Sequence, residues 1–573
     1  MRKRVPASTP RQPGHSRQAN RQHLGLGAYQ ARVADRLRAW QHAGFARRLW
    51  QKDPTLWAPS PQPEIADRLG WLNLPEMRRE QVDDLTAFAT EIKIAGFRHV
   101  VVLGMGGSSL APDVFRATFE PAAGYPVLVV LDSTHPAAVR AVEAQVDLAR
   151  TLFIVSSKSG TTVEPLSFFR YFWARVAEGS RTPGHHFVAI TDPGTPLEHL
   201  AHDRGFRRVF QAPPDVGGRY SALTVFGLVP AALMGVDLQR LLDRARRMAK
   251  ASAPSVPEAD NPTLVLGAAL GELTLVGRDK VTFETTPGLA AFPAWVEQLI
   301  AESTGKKGKG IIPIVGEAPA SPHVYGPDRF FVHLYLDQDD AVALDARGAA
   351  LEASGHPVAR IQLTETADLG QEFFRWECGV AAAGAVLGIN PFDQPDVELA
   401  KDLARQAMGR DRSSLTVAGP NLPVVSVQPG TPQDAVATAL RSWMNQARPG
   451  DYVALQAYLE PSAAATAALE RVRLLLRDRL ALATTVGYGP RFLHSTGQLH
   501  KGGPSTGLFL QLTDDPTTDL AVPESDYTFG ALLRAQALGD LLALQQRGRR
   551  VLRVALGTDS ALGLRHVTDA LQS

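Results

Sequence analysis

The sequence predicts an α/β protein built from doubly wound parallel sheets. Three observations carry this: short, continuously apolar runs rich in β-branched residues, helix-length segments between them, and glycine- or hydroxyl-rich turns straight after two of the runs. Strands that are apolar at every position are buried on both faces, and helices on either side of a parallel sheet provide that burial. In chain order, residues 1–27 read as a basic, Pro/Gln/Ser-rich disordered tail, and residues 28–95 as a helical extension with apolar residues at three-to-four spacing, packing on the domain that follows. A first α/β domain, 96–250, has strands HVVVLGM (99–105), PVLVVLD (126–132), TLFIVSS (151–157), HFVAIT (186–191) and VFQ near 209. A second, 251–415, has KVTFE (280–284), RFFVHLYL (329–336) and VARIQL (358–363), with helices at Trp295 to Ser303 and Glu372 to Leu387. Residues 416–573 form a further α/β region, with strands VALQAYL, FLQLT and VLRVALG and helices at 461–480 and 530–547. No short-period repeat is present.

Composition narrows the function classes. The 573 residues contain a single cysteine, Cys378, so neither an internal disulfide nor a Cys-rich zinc site is available. No apolar run reaches the length of a membrane helix, and the start MRKRVPASTPRQ lacks the apolar core of a signal peptide; the expectation is a cytoplasmic protein that neither crosses a membrane nor binds one. Seven of the basic residues (Arg2, Lys3, Arg4, Arg11, Arg17, Arg21 and Arg32) precede the first acid, Asp35, leaving 53 basic against 58 acidic residues in the rest. Scattered charges without interleaved aromatics are a poor nucleic-acid footprint, so no nucleic-acid partner is expected.

Two loops suggest an anion. The first strand runs into Gly104-Met105-Gly106-Gly107-Ser108-Ser109 and then a helix, a geometry in which backbone amides face an anion. Alone, this turn also reads as a tight turn without ligand, and less readily as a dinucleotide loop, because the GxGxxG spacing is not met. The third strand ends at Ser156-Ser157-Lys158-Ser159-Gly160-Thr161-Thr162: five hydroxyls, an ammonium and a glycine before another helix. That set suits a phosphate monoester, with Gly107, Ser108, Ser157, Lys158, Ser159, Thr161 and Thr162 as its candidate ligands, against the plainer reading of a hydroxyl-rich helix cap. No Walker GxxxxGK[ST] is present.

LGMGGSSLAP, IVSSKSGTT, DVGGRYSALTVFGLVP (215–230), QLIAESTGK (298–306) and INPFDQPDVELAK (389–401) together resemble the phosphoglucose isomerase family, a pair of sugar-isomerase (SIS) domains. RLWQKDPTLW and HSTGQLHKGG are similar to the isomerase half of bifunctional transaldolase/phosphoglucose isomerases. The chain carries no transaldolase half, so the implied activity is the isomerase alone: glucose 6-phosphate to fructose 6-phosphate through a cis-enediolate, in glycolysis and gluconeogenesis, without cofactor or metal.

The resemblance implies residue roles. Arg219 matches the arginine that stabilises the enediolate, and a fixed guanidinium suits negative charge developing on oxygen. Glu302 matches the catalytic base; burial beside a phosphosugar raises a glutamate toward neutrality, where it can take and return a carbon-bound proton. Lys401 matches the lysine that helps open the sugar ring, and Gln394 a residue bonding substrate hydroxyls or phosphate. Lys306, Lys307 and Lys309 read as an electrostatic rim. The family's ring-opening histidine, in a GTNGQHAFYQ-like helix start, has no counterpart among His323, His333 and His356. The C-terminal GQLHKGG supplies a candidate instead, His500 in preference to His494. The resemblance also implies a possible homodimer. Dual specificity toward mannose 6-phosphate and a non-catalytic phosphosugar sensor are the alternatives.

Overall fold

The computed structural model describes residues 21–60, 62–408, 424–427 and 433–573. It contains three five-stranded sheets. In the first, β2 (His99–Leu103), β3 (Val127–Leu131), β4 (Thr151–Ser156), β5 (Phe187–Thr191) and β6 (Arg208–Gln211) lie in the order β3-β2-β4-β5-β6, all parallel. The second is β7 (Lys280–Thr285), β8 (Ile312–Ile314), β9 (Arg329–Leu336) and β10 (Val358–Leu363), in the order β8-β7-β9-β10, closed on its outer side by β1 (Arg21–Gly25). The third places β11 (Val424–Ser426), β12 (Tyr452–Tyr458), β13 (Ala483–Tyr488), β14 (Gly507–Thr513) and β15 (Arg550–Ala555) in the order β13-β12-β14-β15-β11.

The three sheets share one layout. Each unit's first strand lies inside its second, and the third and fourth follow on the other side. In the second and third sheets, however, a segment preceding the unit fills the fifth place: β1 antiparallel to β10, and β11 parallel to β15. The C-terminal region is therefore a doubly wound layer of the same strand order as the first domain.

β1 corrects the predicted tail. Residues 21–25 pair residue by residue with Val358–Gln362, and Arg21 reaches Asp337 at 2.8 Å. Arg2, Lys3, Arg4, Arg11 and Arg17 lie outside the described residues, as does the expected boundary at 415/416. The helix Gln30–Ala43 follows, but it packs on Pro262–Leu275 of the second unit rather than on the first, and Arg32 and Arg36 both bind the buried Glu272 at 2.6 Å. The first two units share one continuous apolar core, including Trp71, Trp295, Phe373 and Trp376.

The third unit docks on both others. Its Tyr452, Phe509 and Leu541 pack against Ile312, Ile314 and Ala301 of the second unit. Phe529, buried at the start of the helix Phe529–Gln546, enters the first unit's core, with its ring 5.9 Å from that of Phe168. Phe529→Ala leaves a cavity at this junction and is expected to cost about 3–5 kcal/mol, read as a lowered unfolding midpoint.

Candidate active site

Glycine lets three segments meet. At Gly107, a Cβ would stand 2.2 Å from the carbonyl oxygen of Gly218, so only glycine allows the turn after β2 to lie against the turn that presents Arg219. Gly106, at φ +54°, brings the same turn against the backbone carbonyl of His494. Ser108 is buried at this junction.

Beside it, the loop after β4 folds on its own hydroxyls. Ser157 Oγ donates to Thr162 Oγ1 at 3.0 Å, and Ser159 Oγ and Thr161 Oγ1 are also 3.0 Å apart. Ser159 and Thr161 are exposed, and Ser157 is buried. Lys158 departs from its expected role as charge balance for a phosphate: its ammonium pairs with Asp192 and reaches the carbonyl of Pro214.

Arg219 is 3% exposed and fully occupied. Nε donates to Ser303 Oγ at 2.9 Å, Nη1 to Gln394 Oε1 at 3.0 Å, and Nη2 to the carbonyls of Pro391 and Asp393 at 2.7 and 2.9 Å. Nη1 also lies 3.5 Å from Glu302 Oε2. Glu302 sits near the end of the helix Phe292–Thr304, and Gln298, one turn earlier, donates to the same oxygen at 3.2 Å. Burial raises the Glu302 carboxyl above the ordinary glutamate range, opposed first by Arg219 and then by His494, Lys306 and Lys401. A carboxyl raised by burial and paired with a fixed guanidinium can both accept and return a proton.

Of the three lysines read as a rim, Lys306 departs from that reading. Lys306 is buried, donating to the Asn390 carbonyl at 2.6 Å and facing Asp393 Oδ1 at 2.8 Å. Burial, with Arg219 adding to it, pulls its ammonium down to about 7. Lys309 Nζ holds the Leu387 carbonyl at 2.6 Å, and both Lys307 and Lys309 are exposed. The buried Lys306 and the exposed Lys309 thus bind the 387–393 segment to the end of the Glu302 helix.

The histidine preference is reversed. His494 closes a short 3₁₀ turn, Arg491–His494, beside Gly106, and its carbonyl accepts from Gln298 Nε2 at 2.8 Å. Its Nε2 is 2.9 Å from Glu164 Oε1, which also accepts from Gln536 Nε2 at 2.6 Å. Burial would raise the Glu164 carboxyl, but the His494 imidazole outweighs it and holds the group below its usual range. His500 instead lies on the six-residue helix Gly497–Gly502, turned onto the third sheet, with Nδ1 3.2 Å from Gln456 Nε2 and its ring 5.1 Å from Phe509. Burial drives its pKa well down, and it makes no hydrogen bond to Arg219, Glu302 or Lys401. Lys401, on the helix Glu398–Met408, is partly exposed and pairs with Glu398 at 2.8 Å; its charge reaches both Glu302 and Glu164.

The motifs gave no role to Gln298, Glu164 or Gln536, and read Lys306 only as part of a rim. Two of them left a signal: Gln298 lies four residues before Glu302, and Glu164 directly follows Thr162-Val163. Among the described residues, no three His, Cys, Asp or Glu side chains converge as a metal-holding group, and no helix is long and apolar enough to cross a membrane.

A phosphoglucose isomerase family model matches residues 88–314. A glucose-6-phosphate isomerase of Symbiobacterium thermophilum is 32% identical, with 60% of this chain and 87% of that protein covered. One from Rubrobacter xylanophilus is 29% identical, with 60% of this chain and 90% of that protein covered. The crystal structure of a glucose-6-phosphate isomerase from Chlamydia trachomatis superposes with a TM-score of 0.55 at 22% identity, over 65% of this chain and 86% of that one. The parallel sheets and the loops between them define an SIS-type α/β protein. The chain belongs to the phosphoglucose isomerase family.

Proposed function

We propose that the chain interconverts glucose 6-phosphate and fructose 6-phosphate. The observation that carries this is the buried Glu302, 3.5 Å from Arg219 and within reach of the charges of His494, Lys306 and Lys401. Ser108, Ser157, Ser159, Thr161 and Thr162 receive the phosphate, and Gln394 orients the sugar hydroxyls. His494, oriented by Glu164, and Lys401 move a proton onto the ring oxygen as the ring opens. Glu302 takes the proton from C2 of the aldose and returns it to C1 of the same chain of atoms, giving the ketose. Arg219 balances the negative charge on the enediolate oxygen. A cytoplasmic location, expected from the composition, and a possible homodimer, implied by the family resemblance, accompany this reading.

The direct test is turnover of fructose 6-phosphate by the purified chain in a coupled assay, with mannose 6-phosphate run beside it. Absence of glucose 6-phosphate formation would sink the reading. Ring opening is tested by comparing cyclic with open-chain substrate. His494→Ala is expected to slow the cyclic substrate by about 10²-fold or more while the open-chain form loses far less. His500→Ala is expected to treat both alike. The pH profile follows from the base: Glu302 works ionised, so kcat/KM falls as pH drops through its raised pKa. That acid limb should lie above the ordinary glutamate range; a limb at the ordinary glutamate value would contradict a buried base.

A further inference from the structure

The loop 390–396 has a second face. Its front holds Arg219 and Gln394. Behind it lies a cleft of about 440 Å³ between Lys306–Gly308, the loop itself and the Gly502–Ser505 turn. We propose that this cleft is a second anion site, separate from the hydroxyl loop, which takes the phosphate group of a small phosphorylated metabolite.

The charges in the cleft do not balance. Asp393 is matched by Lys306 at 2.8 Å, Asp396 by Arg547 at 2.6 Å, and Lys501 by the buried Asp540. Two cations are left over. Lys307 is exposed and makes no ion pair among the described residues. Among the described residues, Arg549 has only neutral hydrogen-bond partners: Nη1 donates to Ser505 Oγ at 2.6 Å, and Nη2 to the carbonyls of Lys501 and Gly503, both at 2.7 Å. Its Nε is buried without a partner. Such an arrangement is costly unless an anion completes it. Burial pulls the guanidinium below its ordinary value, opposed by Tyr452 and Asp396 and helped by Arg547 and Arg550.

Two unmatched positive charges and the Ser505 hydroxyl suit a dianionic phosphate better than a single carboxylate. The cleft is large enough to hold an organic body beyond the phosphate, so a phosphate ester fits better than the free ion. None of its lining residues belongs to the Ser157–Thr162 loop. Asp393 joins the two faces, since its carboxylate meets Lys306 while its carbonyl accepts from Arg219.

The test is calorimetric titration of inorganic phosphate into a Ser159→Glu chain, whose hydroxyl loop carries its own negative charge. One equivalent is expected to bind. Adding Lys307→Glu should weaken that binding about tenfold or more, and adding Arg549→Gln should do the same. Lys307 is exposed, so its variant remains decisive if the Arg549 variant does not fold. No binding by the Ser159→Glu chain, or binding unchanged by Lys307→Glu, would overturn the site. Failure of fructose 6-phosphate turnover would leave this result standing, because the titration does not depend on activity.

Discussion

Glu302→Gln is expected to lower kcat by about 10²–10⁴-fold while phosphosugar still binds. The amide keeps the shape of the carboxylate, and the Arg219 fork retains its bonds to Ser303, Gln394 and the loop carbonyls. What disappears is the ability to hold a proton between C2 and C1. The fall should therefore appear in kcat, with little change in the concentration at which substrate saturates. Turnover left unchanged would remove Glu302 from the chemistry. Loss of binding together with turnover would make it a structural anchor for Arg219.

The second large effect is expected from Arg219. Arg219→Ala removes the charge facing the enediolate, worth about 10²–10³-fold in kcat. It also strips the hydrogen bonds from the Pro391 and Asp393 carbonyls and leaves Glu302 without its nearest cation. Breaking a buried pair in this way is expected to cost about 3–5 kcal/mol of stability, visible in a denaturant titration. Arg219→Lys separates the two contributions. It keeps a charge but loses the fork, so it should recover less of the activity than charge alone predicts. In both variants, a weaker cation beside Glu302 should move the acid limb of the pH profile further upward. An unmoved limb would mean that the two side chains are not electrostatically coupled.

Much of the fold was legible because its strands are extreme in composition. RFFVHLYL and VARIQL form β9 and β10 with the boundaries read from their letters, as expected of runs buried on both faces. The strands that escaped are edge strands or short ones. β8 is only Ile312–Ile314 and contains Pro313, tolerated because β8 pairs on one side alone. β13 opens on Ala483-Thr484-Thr485, and β1 is the polar RQHLG, so neither is apolar enough to announce itself. In the site, type and motif pointed to Arg219, Glu302 and Gln394, and the fold brings them together across as many as 175 residues of chain. Sequence put His500 ahead of His494, whereas the structure turns His500 onto the third sheet. They lie six residues apart, and the choice depends on which side of a short helix faces the sheet. Lys306 was misread for a simpler reason: lysine is mostly a surface residue, and only the fold supplies the carbonyl and carboxylate that let it be buried.

The ribbon formed by β1 and β10 has a consequence for biosynthesis. β1 leaves the ribosome some 330 residues before the strand it pairs with, whose last residue is Leu363. Until then, the N-terminal strand and the growing second sheet each carry a row of unsatisfied peptide groups, the kind of edge on which chains adhere to one another. A nascent chain that stops before Leu363 should therefore be prone to self-association as well as inactive. Only translation past that point seals the outer margin of the second sheet.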